Sequence, residues 1–149
     1  MLTGMHPLIA LALFSAAPTA PTAPAWLAGD WEPYSNAFIG LRMLTVGKDT
    51  LSWKGCANAH FDVVTSTGNI VVLRLAKDAM CTLSDAPPTR MDTVRLTLRE
   101  NRCDLGVEIF ASPAAMAKNA PSATGLYGRA KCPSGPVDQA AASFSTTPR

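Results

Sequence analysis

The segment 93–99 alternates apolar and polar side chains with a period of two residues, and this pattern restricts the fold more than any other feature. Val94, Leu96 and Leu98 share one face of an extended strand, and threonines and arginines share the other. The β-branched residues among them disfavour a helix. We therefore predict a half-buried strand, with one face against a core and one toward solvent.

Similar short strand patterns, separated by turn residues, continue along the central part of the chain. Two of them, 60–65 and 69–75, flank a Ser-Thr-Gly turn, which is the pattern of a β-hairpin. The other predicted strands are 41–46, 50–54, 104–110 and 124–131. One short helix is predicted at 113–118, so no long helix separates the strands and a parallel βαβ fold is disfavoured. The sequence predicts an all-β fold: a small antiparallel meander, barrel or half-barrel, with at most one short helix.

The first 25 residues contain no Asp, Glu, Lys or Arg and include an apolar run at 7–14. This run is shorter than the ~20 residues that a membrane-spanning helix needs. It fits a secretory signal peptide that ends in the A-x-A pattern at 23–25. We expect residues 1–25 to be a signal peptide, with no transmembrane helix in the mature chain and a periplasmic or secreted location.

The remaining chain divides into a predicted β-domain, 26–132, and a C-terminal tail, 133–149, for which we expect disorder because it is rich in Pro, Ser, Ala and Thr. In an exported domain, the four cysteines are best interpreted as two disulfides rather than a zinc site, since the chain has no C-x-x-C motif. No metal and no cofactor is expected. Three pairings are possible, and we prefer Cys56–Cys81 with Cys103–Cys132 because each bond then closes a local loop of about 25–30 residues.

The charge pattern narrows the possible partners. A net charge of +2, with 16% charged residues, disfavours a strongly basic nucleic-acid binder and a disordered polyelectrolyte. The one basic concentration consists of Arg90, Arg95, Arg99 and Arg102, and no aromatic residues interleave with it. Arg95 and Arg99 leave the same outer face of the predicted strand, about 13 Å apart. They are either a solvated face or a docking patch for an acidic partner or an anionic polymer.

His60 and Asp62 stand two residues apart in a predicted strand, so they share a face and can pair. A hydrolase or isomerase that uses this pair in an open barrel mouth is one hypothesis. No nucleophile motif such as G-x-S-x-G accompanies the pair. We therefore assign no catalytic residue and keep His60, with Arg95 and Arg99, as a candidate ligand- or partner-binding residue.

Three short motifs resemble the META/HslJ-like domain of bacterial envelope proteins. They are L-x-G-x-W at 27–31, G-C-x-N at 55–58 and M-C at 80–81. The resemblance covers less than half of the chain, and it implies an envelope stress or resistance role without an assigned chemistry.

A second motif, Gly29-x-Trp31 on the first predicted strand with Arg129 in the last, is similar to calycin barrels such as lipocalin-like and avidin-like proteins. In those barrels the tryptophan plugs one end and the arginine can lie over it, a cation–π interaction of about 0.5–2 kcal/mol. This resemblance implies that Trp31 and Arg129 are structural residues.

The leading functional hypothesis is an exported, non-enzymatic envelope module, related to stress or resistance, that binds an unknown protein or a small apolar or anionic ligand. The alternatives are a lipocalin-like ligand binder, a lysozyme-inhibitor-like protein and the hydrolase or isomerase above. The positive net charge counts against docking onto a basic enzyme. A lined cavity of about 300 Å³ or more favours a small ligand, whereas a filled core favours protein contact through the outer face.

Overall fold

The computed structural model describes residues 15–132, so the apolar run 7–14 and the predicted tail 133–149 lie outside the described residues. Residues 15–24 form neither helix nor strand. Short 3-10 turns cover Ala25–Leu27 and Lys77–Ala79. The strands and helices, in chain order, are β1 Gly29–Pro33, α1 Asn36–Ile39, β2 Leu44–Val46, β3 Thr50–Trp53, β4 Cys56–Thr67, β5 Ile70–Leu75, β6 Thr93–Leu98, β7 Asp104–Phe110, α2 Pro113–Ala117 and β8 Ala123–Gly128.

The eight strands form a closed antiparallel barrel in which each strand pairs with its neighbour in sequence. Strands β1 and β8 close the barrel through the pairs Glu32↔Gly128 and Pro33↔Tyr127. The prediction of an all-β antiparallel meander is therefore confirmed. The limit of one short helix is wrong, because α1 is a second one. Its single turn is too short to show a helical period, and tertiary packing holds it in place.

Several predicted boundaries also differ from the structure. Strand β2 begins at Leu44, three residues after the predicted start at 41. Strand β4 begins at Cys56, so it is longer than the predicted 60–65, and Arg129 follows β8 instead of lying within it. The β4–β5 turn is formed by Gly68 and Asn69. Gly68 takes the left-handed conformation (φ 58°), which glycine adopts without a steric cost.

The interior of the barrel is filled by side chains. The apolar face of β6 is buried as expected, since Val94 and Leu96 have no exposed surface, but Thr93, expected to face solvent, is also buried. The same holds for inward residues of five other strands, namely Trp31, Leu44, Val71, Leu73, Leu105, Ile109 and Tyr127. A side chain that a water-sized sphere cannot touch does not border a water-filled cavity. The inward side chains of these six strands therefore form a packed core.

One end of the barrel is closed by the segment that contains α1. The Phe38 ring is fully buried, and its centroid lies 5.4 Å from that of Tyr127. A Cβ at position 125 would overlap this ring, so Gly125 is the residue that admits Phe38. Tyr127 accepts a hydrogen bond from Trp53 Nε1 (3.0 Å) and donates one to the carbonyl of Arg42 (3.1 Å). Burial raises the pKa of Tyr127, so its hydroxyl stays neutral and remains a donor.

The opposite end of the barrel is closed by Trp31 and the turn Ala25–Leu27. Trp31 Nε1 donates a 3.0 Å hydrogen bond to the Leu27 carbonyl, and the Arg129 guanidinium lies 4.1 Å from a Trp31 ring centroid. Arg129 also donates to the carbonyl of Trp26. Ala23, which precedes the turn, packs against the core as well. The contact between Trp31 and Arg129 is thus part of the packing that closes this end of the barrel.

Both expected disulfides are present, one at each end of the barrel. Cys56–Cys81 ties the long β5–β6 loop to the start of β4, with the two Cα atoms 4.7 Å apart. Cys103–Cys132 ties the segment after β8 to the β6–β7 turn, with a Cα separation of 5.3 Å. The pairing in which each bond closes a local loop is the one observed.

Within residues 15–132, no helix has the length and hydropathy needed to cross a bilayer. In the same range, no three His, Cys, Asp or Glu side chains are grouped closely enough to hold a metal ion.

Candidate binding surface on the outer face of the barrel

The structure separates the candidate residues that the sequence grouped together. Arg95 on β6 and Arg99, directly after β6, leave the outer face of the barrel, because Leu96 and Leu98 point inward. His60 lies on β4, where its side chain is 71% exposed and its Nδ1 atom is 3.8 Å from Asp49 Oδ2. The carboxylate beside His60 is therefore that of Asp49, whereas Asp62 lies opposite Arg74 of β5. Because the His60 side chain points outward from β4, it does not line a mouth of the barrel.

Arg95 is held within the barrel wall. It lies directly opposite Glu108 in the β6–β7 register, and its Nε and Nη2 atoms donate to the two carboxylate oxygens at 2.5 and 2.8 Å. A third hydrogen bond goes from Nη2 to Asn119 Oδ1 (2.7 Å), and the guanidinium lies 5.3 Å from the Phe110 ring centroid. The charge of Arg95 is thus neutralised by its own strand neighbour, so Arg95 is not the free cation of this face.

The ion pair determines the protonation of Glu108. The hydrogen bonds from Arg95 hold the pKa of Glu108 below its ordinary value against the effect of partial burial, and the charges of Arg95 and Arg99 lower it further. The same hydrogen bonds raise the pKa of Arg95. Both side chains therefore stay charged at neutral pH, and the bidentate geometry is retained.

We expect the Arg95–Glu108 pair to stabilise the fold by about 1 kcal/mol at neutral pH and to lose this effect in acid. A carboxyl whose pKa is lower in the folded state stabilises the protein above its unfolded value of about 4.3, and this contribution disappears as the pH falls through the folded pKa. Urea unfolding of the wild type and Glu108→Gln at pH 7, 5, 4 and 3 measures it. Their difference shrinks as the pH falls, whereas the control Glu100→Gln, in the exposed turn, shows no such trend. A constant difference across this pH range contradicts the assignment.

Arg99 differs from Arg95 in being exposed and in forming no ion pair within residues 15–132. Its guanidinium lies over Gly106 of β7, where a Cβ would be 3.5 Å from its Nε and Nη2 atoms. No carboxylate among residues 15–132 is within 4.0 Å of it. Both oxygens of the neighbouring Glu108 are occupied by Arg95. Arg99 is thus exposed on this face, and Asp104 of β7 lies opposite it, since the backbone N–H of Arg99 donates to the Asp104 carbonyl.

A groove of ≈ 510 Å³ lies beside Arg99 on the outer face of β6, β7 and β8. We call it the outer groove, and its principal lining residues are Thr97, Arg99, Gly106, Glu108, Thr124 and Leu126. In the sheet register, Gly106 stands between Thr97 and Leu126. Because Gly106 has no side chain, the sheet surface is depressed at this point and bare backbone lies between the flanking side chains.

An exposed aromatic residue lies next to the outer groove. A Cβ on Gly128 would overlap the ring of Tyr34, so this ring is seated on the bare backbone of β8. Gly128 is the next outward position after Leu126 on the same strand, about 6.6 Å further along. Tyr34 is nevertheless 59% exposed. The surface therefore presents an arginine and a tyrosine, each resting on a glycine.

A second depression, of ≈ 290 Å³, lies at the barrel end that contains α1. Its lining is mainly apolar, with Leu41 and Leu83 as its largest side chains and Asp85 as its charged residue. The Asp85 carboxylate accepts hydrogen bonds from the backbone and hydroxyl of Thr89, which lower its pKa. Through these hydrogen bonds, Asp85 stabilises the conformation of the loop that contains it.

Sequence patterns alone did not identify Glu108, Gly106 or Tyr34 as parts of one surface. Glu108 lies in a predicted strand. Its pairing with Arg95 could be predicted only if the register of β6 and β7 were known, because opposite charges on directly opposed strand residues attract each other. No comparable signal marks Gly106, because a single glycine in a strand has several explanations.

No family model, curated protein or solved structure matches this chain. The function is therefore argued from the geometry of the barrel and its surface.

Proposed function

We propose that this chain is an exported, non-enzymatic binding module that contacts a protein partner through the outside of its barrel. The observation that carries this proposal is the filled interior, in which inward side chains of six strands have no exposed surface. The two disulfides support the periplasmic or secreted location, since such bonds persist in oxidising compartments.

A lipocalin-like role in carrying a small ligand inside the barrel is not favoured by this packing. A ligand pocket needs about 300 Å³ or more of space lined by side chains. Here Phe38 occupies one end and Trp31 the other, and both are fully buried. A ligand of that size would have to displace the core.

We also propose a calycin-like relationship for the barrel, independent of ligand carriage. The support comes from two features: the closed eight-stranded meander and Arg129 over Trp31. The resemblance to META/HslJ-like domains stays a prediction from its three motifs, and so do the stress- or resistance-related role and the lysozyme-inhibitor-like alternative.

An apolar fluorescent fatty acid, cis-parinaric acid, tests whether the interior takes a ligand. We expect no saturable binding by the folded wild type, because no space is available in the core. Phe38→Ala, which removes the ring that plugs one barrel end, is the comparison variant and should bind the probe no more weakly than the wild type. Saturable one-to-one binding by the wild type, with energy transfer from Trp53, would overturn the proposal.

A further inference from the structure

We infer that the export signal of this chain is cleaved after one of the residues 15–22, so that Ala23, Pro24 and Ala25 stay in the mature protein. The A-x-A pattern at 23–25 predicts a later cut, directly before Trp26. The step is a hydrolysis by a signal peptidase: water adds across the peptide bond, the leader keeps the new carboxyl group and the mature chain the new α-amino group. This inference rests on the exported location in the proposed function, to which it adds the position of the cut.

The exposed N-terminal segment ends at Ala23, where the chain joins the folded domain. Residues 15–22 are all exposed, whereas Ala23 and Pro24 are partly buried. Ala23 packs against the hydrophobic core of the barrel. With Phe61 and Val63 of β4 it also borders a depression of ≈ 350 Å³. The folded domain therefore begins at Ala23, before the cut that the A-x-A pattern predicts.

Pro24 supplies a hydrogen bond of the turn that closes this end of the barrel. Its carbonyl accepts the backbone N–H of Leu27 at 3.0 Å, which fixes the 3-10 turn Ala25–Leu27. Leu27 has no exposed surface, and its own carbonyl accepts the Trp31 Nε1–H. A cut after Ala25 removes the acceptor of a buried N–H, and a buried donor without its partner is unfavourable.

A cut after Ala25 also places a new positive charge beside Arg129. Trp26 then carries the α-amino group of the chain, and such a group is mainly protonated at neutral pH. The Trp26 carbonyl accepts a hydrogen bond from the Arg129 guanidinium, so both charges meet at one residue. No carboxylate within residues 15–132 is within 4.0 Å of Arg129. Because like charges repel, this cut weakens the contact that holds Arg129 over Trp31.

Small residues at the start of the exposed segment offer an earlier position for the cut. Ser15, Ala16 and Ala17 directly follow the apolar run at 7–14, and Ala20 lies close behind them. A cleavage site of small residues ordinarily follows the apolar region of a leader. Within residues 15–132, no backbone hydrogen bond joins 15–22 to the barrel. A cut in this segment therefore leaves the closed barrel end intact.

The test is export of the full chain with its own leader in a bacterial host, followed by intact-mass measurement and N-terminal sequencing of the periplasmic protein. We expect the first residue to lie between 16 and 23. A first residue at 24 or beyond, or an uncleaved chain in the periplasm, overturns the inference and leaves the exported location intact. An uncleaved chain that stays in the cytoplasm overturns the exported location, and with it the proposed function.

A single substitution separates the two cleavage positions. Ala25→Gln removes the small residue that a cut before Trp26 requires and leaves 15–22 unchanged. Ala25 is exposed, so we expect the variant to fold and to show the same first residue and the same amount of processed protein as the wild type. Ala28→Gln, the same change at an exposed alanine outside the A-x-A pattern, is the control. Accumulation of the precursor with Ala25→Gln but not with the control overturns the inference.

Two purified chains test the structural reason. One begins at residue 16 and the other at Trp26, and both are released from a cleavable tag and folded with both disulfides. We expect the shorter chain to unfold at a lower urea concentration. Acetylation of its α-amino group should recover part of the loss, because it removes the charge beside Arg129. Equal midpoints for the two chains overturn the role assigned to residues 23–25 and the inference with it.

Discussion

Replacing Trp31 with alanine is expected to lower the free energy of unfolding by about 3–5 kcal/mol. The indole is fully buried, its N–H is bonded to the Leu27 carbonyl, and its ring carries the Arg129 guanidinium. Truncation removes this packing, leaves a cavity at the barrel end and leaves the carbonyl without its donor. Chemical denaturation monitored by circular dichroism measures the loss.

Two further variants show whether Trp31 acts through the contact proposed for it. Trp26→Ala is the matched control, because Trp26 packs against the core but is only partly buried, and it should cost less. Arg129→Met removes the cation and keeps an apolar stem. A double-mutant cycle between Trp31 and Arg129 should give a coupling of about 0.5–2 kcal/mol. A coupling near zero, or a larger cost for Trp26→Ala, contradicts the structural role assigned to the pair.

Removing the Cys56–Cys81 bond by a double substitution to alanine is expected to cost about 3 kcal/mol, which is the loop-closure contribution for a loop of its size. The bond closes a loop with a sequence separation of 25 and anchors the long β5–β6 connection. Both cysteines are also buried in the core, so their loss affects packing as well.

The matched control is the corresponding alanine pair at Cys103 and Cys132. That bond has a sequence separation of 29, so its loop-closure contribution is nearly the same, but Cys132 is exposed. Removal of Cys56–Cys81 should therefore destabilise more in guanidinium unfolding. It should also increase amide hydrogen exchange in the loop between β5 and β6. Equal losses for the two pairs, or an unchanged exchange rate in that loop, would contradict the anchoring role.

The strand pattern was predictable because it depends on local chemistry. In β6 the inward residues are apolar and alternate with polar ones, so the pleat of a strand leaves a single way to bury them. The disulfide pairing was predictable for a related reason, since neighbouring strands of a meander keep local cysteines close together. The sequence left open whether the meander closes into a full barrel or stays a half-barrel. Closure depends on the pairing of β1 with β8, which are far apart in the chain, so no local sequence pattern indicates it.

The helix α1 and the outer groove were not predictable from patterns in the sequence. Phe38 plugs the barrel only because Gly125, far along the chain, leaves room for its ring. Arg95 and Arg99 look equivalent in the sequence, at alternate outward positions of one strand. Glu108 stands opposite Arg95 and forms an ion pair with it, whereas Arg99 lies opposite Asp104 and extends its guanidinium over Gly106.

Local residue order was thus enough to establish the all-β class and the buried apolar face of β6, because each depends on neighbours within one strand or one hairpin, and it favoured the two short disulfide loops among three possible pairings. The tertiary structure decided that the barrel is closed and filled, and that Arg95 is held in an ion pair whereas Arg99 is exposed. These properties arise from side chains that meet across strands and at the barrel ends. Which groups touch there depends on the strand register and on the absence of a Cβ at Gly106, Gly125 and Gly128.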